Sequence, residues 1–364
     1  MHKGPSPHLD PKRRRLLKTL GLTSLMAAGS VSLPWPLRMA MAQAQNDYKG
    51  VICVFLNGGN DGNDTLIPMG GGYEDYRRAH DPIALAKEEL VALNLDNADQ
   101  PLGLNPALAK LKPISDRGDI AWVANAGPLV QPVSAMDVRA ELAEVPSFLG
   151  SHPDQQRLVS GGVPGTFAAR SGWGGRALEH MPEELLSDLL SNLTASQNDW
   201  LMRGEFWSPT LAQDRERLAS IDLRDVLAGA NTEELRAYQA AVRVRPSHDD
   251  LAVAYRHAVG NVLDEVLELR RVLDAVPQGV APRHDGVDDY GLTEQLRTAT
   301  RVFWAGREAG VRRQMVFVDW GGFDTHANQR GSDMDNQDGL LKALANGLAD
   351  LDEQLARGGL QDQV

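Results

Sequence analysis

The chain has 364 residues, of which 42% are hydrophobic and 24% are charged, and this composition excludes a disordered or fibrous protein. Its net charge is −12 and falls to about −18 without residues 1–42, which disfavours nucleic acid and anionic membrane surfaces as partners. The single cysteine, Cys53, excludes an intrachain disulfide and a thiolate metal cluster, and its apolar neighbours indicate a buried side chain rather than a reactive thiol.

The N-terminal segment, residues 1–42, has the layout of an export signal. A basic cluster, Lys12–Arg15, precedes a moderately apolar stretch. The A-x-A cleavage patterns follow at Ala40, Ala42 and Ala44. Glycines and prolines interrupt the apolar stretch, which is therefore too short to span a membrane stably.

The run KRRRLLK, at residues 12–18, resembles the twin-arginine pattern, with Leu16 where phenylalanine is commonest. This resemblance implies export of the folded chain to the periplasm or the medium, with a mature chain that begins near Gln43 or Gln45. A flexible basic tail on a cytoplasmic protein is the alternative. Residues 1–42 are assigned as a twin-arginine signal peptide and are left out of the fold.

Three short apolar runs in the mature chain have the length and composition of strands: Val51–Leu56, Ile120–Ala124 and Met315–Val318. None alternates strictly, as is typical of parallel strands that are covered on both faces. Helical periodicity precedes the second run, starting at Asn105-Pro106, and the third, between Thr293 and Gly310. The alternation predicts an α/β fold with a doubly wound, mainly parallel sheet.

The stretch 181–290 breaks this rhythm. EELLSDLLSNL, LRAYQAAVRV and VLDEVLELRRVLDAV are helical in period, and no strand is evident between them. We therefore predict a mostly helical insertion at 181–290 between the two parts of one α/β domain, residues 43–180 and 291–364.

A final amphipathic helix is predicted near the carboxyl end, closed by Gly358-Gly359. Its apolar face is formed by Leu340, Leu341, Leu344, Leu348, Leu351 and Leu355. In an α/β chain a strand should follow, and only LQDQV remains. This pattern favours a domain that is incomplete at its carboxyl end.

Polar side chains crowd the loops that follow the first and third predicted strands. In a doubly wound sheet, ligands bind outside the carboxyl ends of the strands. The first loop, NGGNDGNDTLIP, contains Asp61, and the loop DWGGFDTHANQ contains Asp324 and His326. Carboxylate oxygen with imidazole nitrogen suits Zn²⁺ or Mn²⁺. The alternative for each loop is a tight turn, in which the aspartates cap backbone groups and His326 bonds to the backbone.

A third candidate is the run SHPDQQRL. Ser151 stands just before a short predicted helix, with His152 beside it and Asp154 three residues on. A serine at a helix N-terminus suits a nucleophile or an anion cradle. The alternative is that Ser151 only caps the helix and His152 is a solvent-exposed neighbour.

Five runs resemble an exported family known as domain of unknown function 1501, in their order and rough spacing: VICVFLNGGNDGNDTLIP, GLNPALAKL, SHPDQQ, RSGWGGRALE and VDWGGFDTHANQ. The match covers most of the chain outside 181–290. The family looks like a remote branch of the alkaline phosphatase and sulfatase superfamily, whose members are doubly wound hydrolases with a metal site at the strand ends. A metal-dependent hydrolase of small phosphate or sulfate esters is thereby implied.

The resemblance assigns roles residue by residue. Asp61, or Asn57, is the candidate metal ligand after the first strand, Ser151 is the candidate nucleophile, and Asp324 and His326 resemble later ligands of a divalent metal such as Zn or Mn. The chain departs from the pattern, because the phosphatase histidine stands four residues after the aspartate, where Asn328 lies here. The family's carboxyl-terminal aspartate–histidine pair is also absent.

These departures leave two functional hypotheses open. The first is a metal-dependent ester hydrolase with Ser151 as nucleophile. The second is a non-catalytic exported binding or assembly protein on the same scaffold, with an exported protein partner. Family members are often encoded beside another exported family, which agrees with the second. A nicotinamide oxidoreductase is excluded by the missing G-x-G-x-x-G fingerprint.

Overall fold

The structure is a computed structural model that describes residues 47–96, 98–124, 126–163, 169–196, 198–211, 233, 236, 237, 240, 268–269, 271–282 and 289–364. The predicted signal peptide at 1–42 and the predicted mature start lie outside the described residues.

The strands are, in chain order, β1 (Lys49–Leu56), β2 (Leu66–Pro68), β3 (Val91–Ala92), β4 (Leu102–Leu104), β5 (Asn192–Thr194), β6 (Thr210–Leu211) and β7 (Arg313–Trp320). The α-helices are α1 (Tyr73–Ala79), α2 (Lys112–Asp116), α3 (Ala135–Arg139), α4 (His152–Gly161), α5 (Trp173–Glu179), α6 (Leu292–Glu308) and α7 (Gln337–Arg357). Short 3-10 helices cover Gly62–Asp64, Pro106–Leu111, Glu183–Leu185 and Trp200–Met202.

The main sheet has the strand order β1-β7-β5-β6, and every neighbouring pair is parallel. The predicted runs Val51–Leu56 and Met315–Val318 fall inside β1 and β7, so these two strand predictions are confirmed. A smaller antiparallel sheet has the order β2-β4-β3. The α/β class and the mainly parallel sheet are therefore confirmed.

Both faces of β7 are covered, which explains why its sequence shows no polar alternation. Val316, Val318 and Trp320 belong to the main core, to which α6 and α7 contribute their apolar faces. Met315 and Phe317 point the other way and pack in a separate cluster with residues of α5 and of Trp200–Met202. Cys53 of β1 packs against this second cluster, and burial raises the pKa of its thiol. Cys53 is partly buried, so the burial that the sequence predicts is found in part.

The prediction of a strand at Ile120–Ala124 is wrong, because these residues form no strand in the structure. Ile120 and Trp122 pack against the main core, and the Trp122 indole donates a hydrogen bond to Ser115 Oγ at 3.0 Å. Val123 is 80% exposed. The apolar composition that predicts a strand is thus partly used for packing, while the backbone of the segment makes no hydrogen bond to a described strand.

For the stretch 181–290 the sequence predicts helices and no strand, and this prediction is wrong for the first residues of the stretch. The run EELLSDLLSNL forms only the 3-10 turn Glu183–Leu185 and then β5, which pairs with β7 in the main sheet. Leu190 and Leu193 are buried in the main core, so tertiary packing overrides the helical spacing of the leucines. Residues 271–274 are helical, whereas most of LRAYQAAVRV lies outside the described residues.

Helix boundaries follow the sequence signals at three of four places. Asn105 caps the helical turn Pro106–Leu111 by accepting a hydrogen bond from Ala107 N, α6 ends just before Gly310, and α7 ends at Arg357 before Gly358. The predicted cap Thr293 is wrong. The Asp289 carboxylate accepts from the backbone N–H groups of Gly291 and Thr293 instead, so the cap lies outside the periodic run.

Candidate functional site

The site lies where β1 and β7 end side by side. Asn57 N donates to Trp320 O at 2.8 Å, and Phe323 N donates to Asn57 O at 3.2 Å, so the two following loops are joined from their first residues. Gly58 lies directly under the β7 loop with φ at +116°, and a Cβ placed there would stand 2.5 Å from Asp324 N. The loop that carries Asp324 can approach this closely only because residue 58 is glycine.

Asp324 and His326 lie together at this edge, as the sequence predicts for neighbouring ligands. His326 Nε2 stands 3.2 Å from Asp324 Oδ1. The His326 backbone has φ at +54°, a left-handed conformation that is uncommon for residues other than glycine. The imidazole is largely exposed and the carboxylate is half-exposed, so both groups are open to a ligand from solvent.

A second imidazole reaches the same carboxylate oxygen. His152, the first residue of α4, places Nε2 3.5 Å from Asp324 Oδ1. A Cβ on Gly59 would lie 2.9 Å from His152 Cε1, so the second glycine of the β1 loop leaves room for this ring. His152 is therefore part of the candidate site, although its side chain is also solvent-exposed, as the alternative expects.

Ser151 immediately precedes His152 at the N-terminus of α4, which confirms the short helix predicted after it. Its hydroxyl makes no capping bond to the helix backbone. Instead, Ser151 Oγ donates a short hydrogen bond of 2.5 Å to Asp154 Oδ2. A carboxylate in that position can accept the proton of the serine hydroxyl.

Asp61, the predicted first-loop ligand, is turned to other partners. Its Oδ1 caps the 3-10 turn Gly62–Asp64 by accepting from Asp64 N at 3.1 Å. Its Oδ2 lies 3.1 Å from His80 Nε2 and accepts from Gln329 Nε2 at 3.2 Å. The carboxylate is thus occupied in holding two loops.

The predicted metal site is therefore not assembled as a set of three. Among the residues that the structure describes, no three His, Cys, Asp or Glu side chains are placed to hold a metal ion. Asp324 and His326 meet, whereas Asp61 bonds to His80 and Gln329. The described side chains therefore do not fit a complete Zn²⁺ or Mn²⁺ site, which needs at least three protein ligands.

A buried ion pair holds the two loops beneath the site. The Arg330 guanidinium donates to both oxygens of Asp64, at 2.6 and 2.7 Å, and to Asp338 at 2.8 Å. Tyr76 donates to Asp64 at 2.7 Å, and Asn105 donates to Asp338 at 3.0 Å. Burial acts to lower the pKa of Arg330, but the two carboxylates outweigh it and raise that pKa above its ordinary value.

Sequence reasoning missed this ion pair. Asp64 and Arg330 are 266 positions apart, and neither has a local pattern that predicts the other. Asp319, near the end of β7, was also missed. Burial raises the pKa of its carboxyl group, and its Oδ1 has no hydrogen-bond partner among the described residues. Asn57 Oδ1 is also buried and also has no hydrogen-bond partner among the described residues. Two such acceptor atoms, on Asn57 and Asp319, therefore lie near this sheet edge.

Comparison of the chain with protein-family models, with curated proteins and with solved structures gives no match. A separate feature concerns membranes: in the part of the chain that the structure describes, every helix is too short or too polar to cross one.

Proposed function

We propose that this chain is an exported protein that hydrolyses small phosphate or sulfate esters at the edge formed by the ends of β1 and β7. The observation that carries the proposal is the approach of His152 and His326 to one oxygen of Asp324, with Ser151 next to His152. Resemblance to the family known as domain of unknown function 1501 supports the reaction class. The all-parallel main sheet, covered on both faces of β7, supports a doubly wound scaffold of the alkaline phosphatase type.

The side chains suit ester hydrolysis in two steps. Ser151 Oγ attacks the phosphorus or sulfur atom while Asp154 accepts its proton, a bond forms to Oγ, and the bond to the alcohol oxygen breaks. The imidazole of His152 or His326 donates a hydrogen bond to an anionic ester oxygen and gives a proton to the departing alcohol. Water then attacks the phosphorus or sulfur atom of the serine ester and gives a proton to the imidazole, while the bond to Oγ breaks and Asp154 returns its proton to Ser151 Oγ. No step here uses a metal ion, since the described side chains do not assemble three ligands.

The test is turnover of aryl phosphates and aryl sulfates by the full chain, with EDTA and separately with added Zn²⁺ or Mn²⁺. Ser151→Ala, His152→Ala and Asp324→Asn are each expected to lower the rate by about 100-fold or more, the usual range for nucleophiles and acid–base groups. Ser147→Ala is the matched control, because that exposed serine contributes only its backbone carbonyl to Gln155. Activity that survives in Ser151→Ala, or no turnover by the full chain under any condition, refutes the hydrolase.

Export is tested separately. In cells, replacement of Arg13 and Arg14 by lysine is expected to keep the chain in the cytoplasm, because the twin-arginine pathway reads the guanidinium pair. Normal export of that variant would contradict the assignment of residues 1–42.

The second candidate function is a non-catalytic exported binding or assembly protein. The observation that favours it is the incomplete ligand set, with Asp61 engaged elsewhere and Asn328 at the position where the phosphatase pattern has histidine. This function predicts no turnover, together with one exported protein that co-purifies in a constant ratio. Recovery of the full chain alone from an envelope fraction, with turnover, rules it out.

A further inference from the structure

Strand β1 has one edge paired and one edge facing outwards. Lys49 N donates to Arg312 O at 2.9 Å and Asn57 N donates to Trp320 O at 2.8 Å, so the odd-numbered residues of β1 pair with β7. In a parallel ladder the intervening residues direct their N–H and C=O groups to the opposite side. The backbone groups of Gly50, Ile52 and Val54, and of Leu56 beyond them, therefore point away from β7.

Among the described residues, hydrogen bonds to this outer edge occur only at its beginning. Gly50 N donates to Gln363 O at 2.7 Å. For Ile52, Val54 and Leu56, no described residue supplies a hydrogen bond to the outward backbone groups. The strand is apolar and uncharged from Gly50 to its end, and proteins rarely leave such an edge open because it recruits other strands.

A second segment with unpaired backbone is Ile120–Ala124. Its N–H and C=O groups make no backbone hydrogen bond with the described residues. Ile120 and Trp122 are partly buried, whereas Ala121 and Val123 are exposed, which is the period-two burial of an extended strand. The sequence predicts a strand here for the same reason, namely its run of apolar and β-branched side chains.

The open edge and the unpaired segment share one core. Ile120 and Trp122 pack against the main core, and so do Ile52 and Val54 of β1. Helix α2 ends at Asp116, shortly before Ile120, and a helix is the usual connection between parallel strands of one sheet. The segment therefore has the composition, burial and direction of a neighbour for β1.

We infer that Ile120–Ala124 is a strap that closes onto the outer edge of β1 as a further parallel strand. Closure pairs the outward groups of Ile52, Val54 and Leu56 and removes the open edge. It also brings Ala124 to the same sheet edge as Asn57. The inference rests on the backbone and the core, and it holds whether or not the chain hydrolyses esters.

The test is hydrogen–deuterium exchange of the full chain, read at single amides. Val51, Cys53 and Phe55 are internal controls, since their amides face β7. With the strap closed, the Ile52 and Val54 amides exchange at rates within about tenfold of these controls, whereas an open edge exchanges about 100-fold faster or more. Protection that is unchanged on tenfold dilution supports the strap. Fast exchange, or protection lost on dilution as a second copy requires, overturns it.

Proline variants identify the covering segment. Ala121→Pro and Ala124→Pro lie at positions of opposite parity, so one of them removes an N–H that faces β1. That variant is expected to speed exchange at Ile52 and Val54, while the control Ala126→Pro, outside the segment, leaves it unchanged. If neither proline changes the exchange of protected outward amides, another segment covers the edge and the inference fails. If a variant unfolds, the control amides in β1 reveal it, and the wild-type and dilution measurements still decide.

Discussion

Replacement of Arg330 by methionine is expected to lower the free energy of unfolding by about 3 kcal/mol, because it leaves the Asp64 carboxylate buried without its counter-charge. The Asp64 side chain is 0% exposed and that of Arg330 is 27% exposed, so solvent screens this pair little. Both Asp64 oxygens lose a guanidinium bond, of 2.6 and 2.7 Å. Tyr76 still donates to Asp64, which keeps the expected loss at the low end of the range for broken buried pairs.

The assay is urea denaturation of the full chain. With a slope of about 3 kcal/mol per molar urea, the midpoint should fall by about 1 M. Arg77→Met is the matched control, because the Arg77–Glu74 pair has side chains that are 56% and 66% exposed. Such a pair contributes about 0–1 kcal/mol. Equal midpoints for the two variants would refute the argument that burial makes the Arg330 pair important. The double variant Asp64→Asn with Arg330→Met should be more stable than Arg330→Met alone, since no buried charge is then left unpaired.

Two further perturbations test the site itself. Gly58→Ala should lower the melting temperature and any turnover, because its Cβ would stand 2.5 Å from Asp324 N at a φ of +116°, whereas Gly62→Ala meets nothing within 4 Å and should be neutral. An equal effect of both substitutions contradicts the close packing of the loops. Burial raises the pKa of Asp319, so the folded state holds its proton more tightly and this group makes stability fall as pH rises above about 3.9. Asp319→Asn should therefore raise the melting temperature at pH 7, measured by calorimetry. The increase should be smaller at pH 3.5. A lower melting temperature of the variant at pH 7 would show that the charged carboxylate is needed.

Local sequence determined the elements whose pattern is complete within one segment. Such elements are the apolar runs of β1 and β7, the cap at Asn105 and the leucine face of α7. Each can be recognised from the order of apolar and polar residues, or from the capping residue, within a few turns or one strand of the chain. The prediction for Ile120–Ala124 shows the limit, because an apolar run is a strand only when its backbone hydrogen-bonds to a neighbouring strand, and that pairing is a tertiary contact. The leucines before β5 show the same limit in reverse, since packing against β7 overrides their helical spacing.

The candidate site also has features that the sequence predicts and contacts that only the tertiary structure decides. Strand ends and glycine-bent loops are readable from sequence, so Asp324 and His326 could be placed at one edge of the sheet. Only the tertiary structure decides which side chains meet there. It brings His152 to Asp324 Oδ1, turns Asp61 toward His80, and pairs Asp64 with Arg330 across 266 positions. The physical reason is that hydrogen bonds and buried charges are satisfied by whichever partners the fold brings near, and no local pattern encodes that choice.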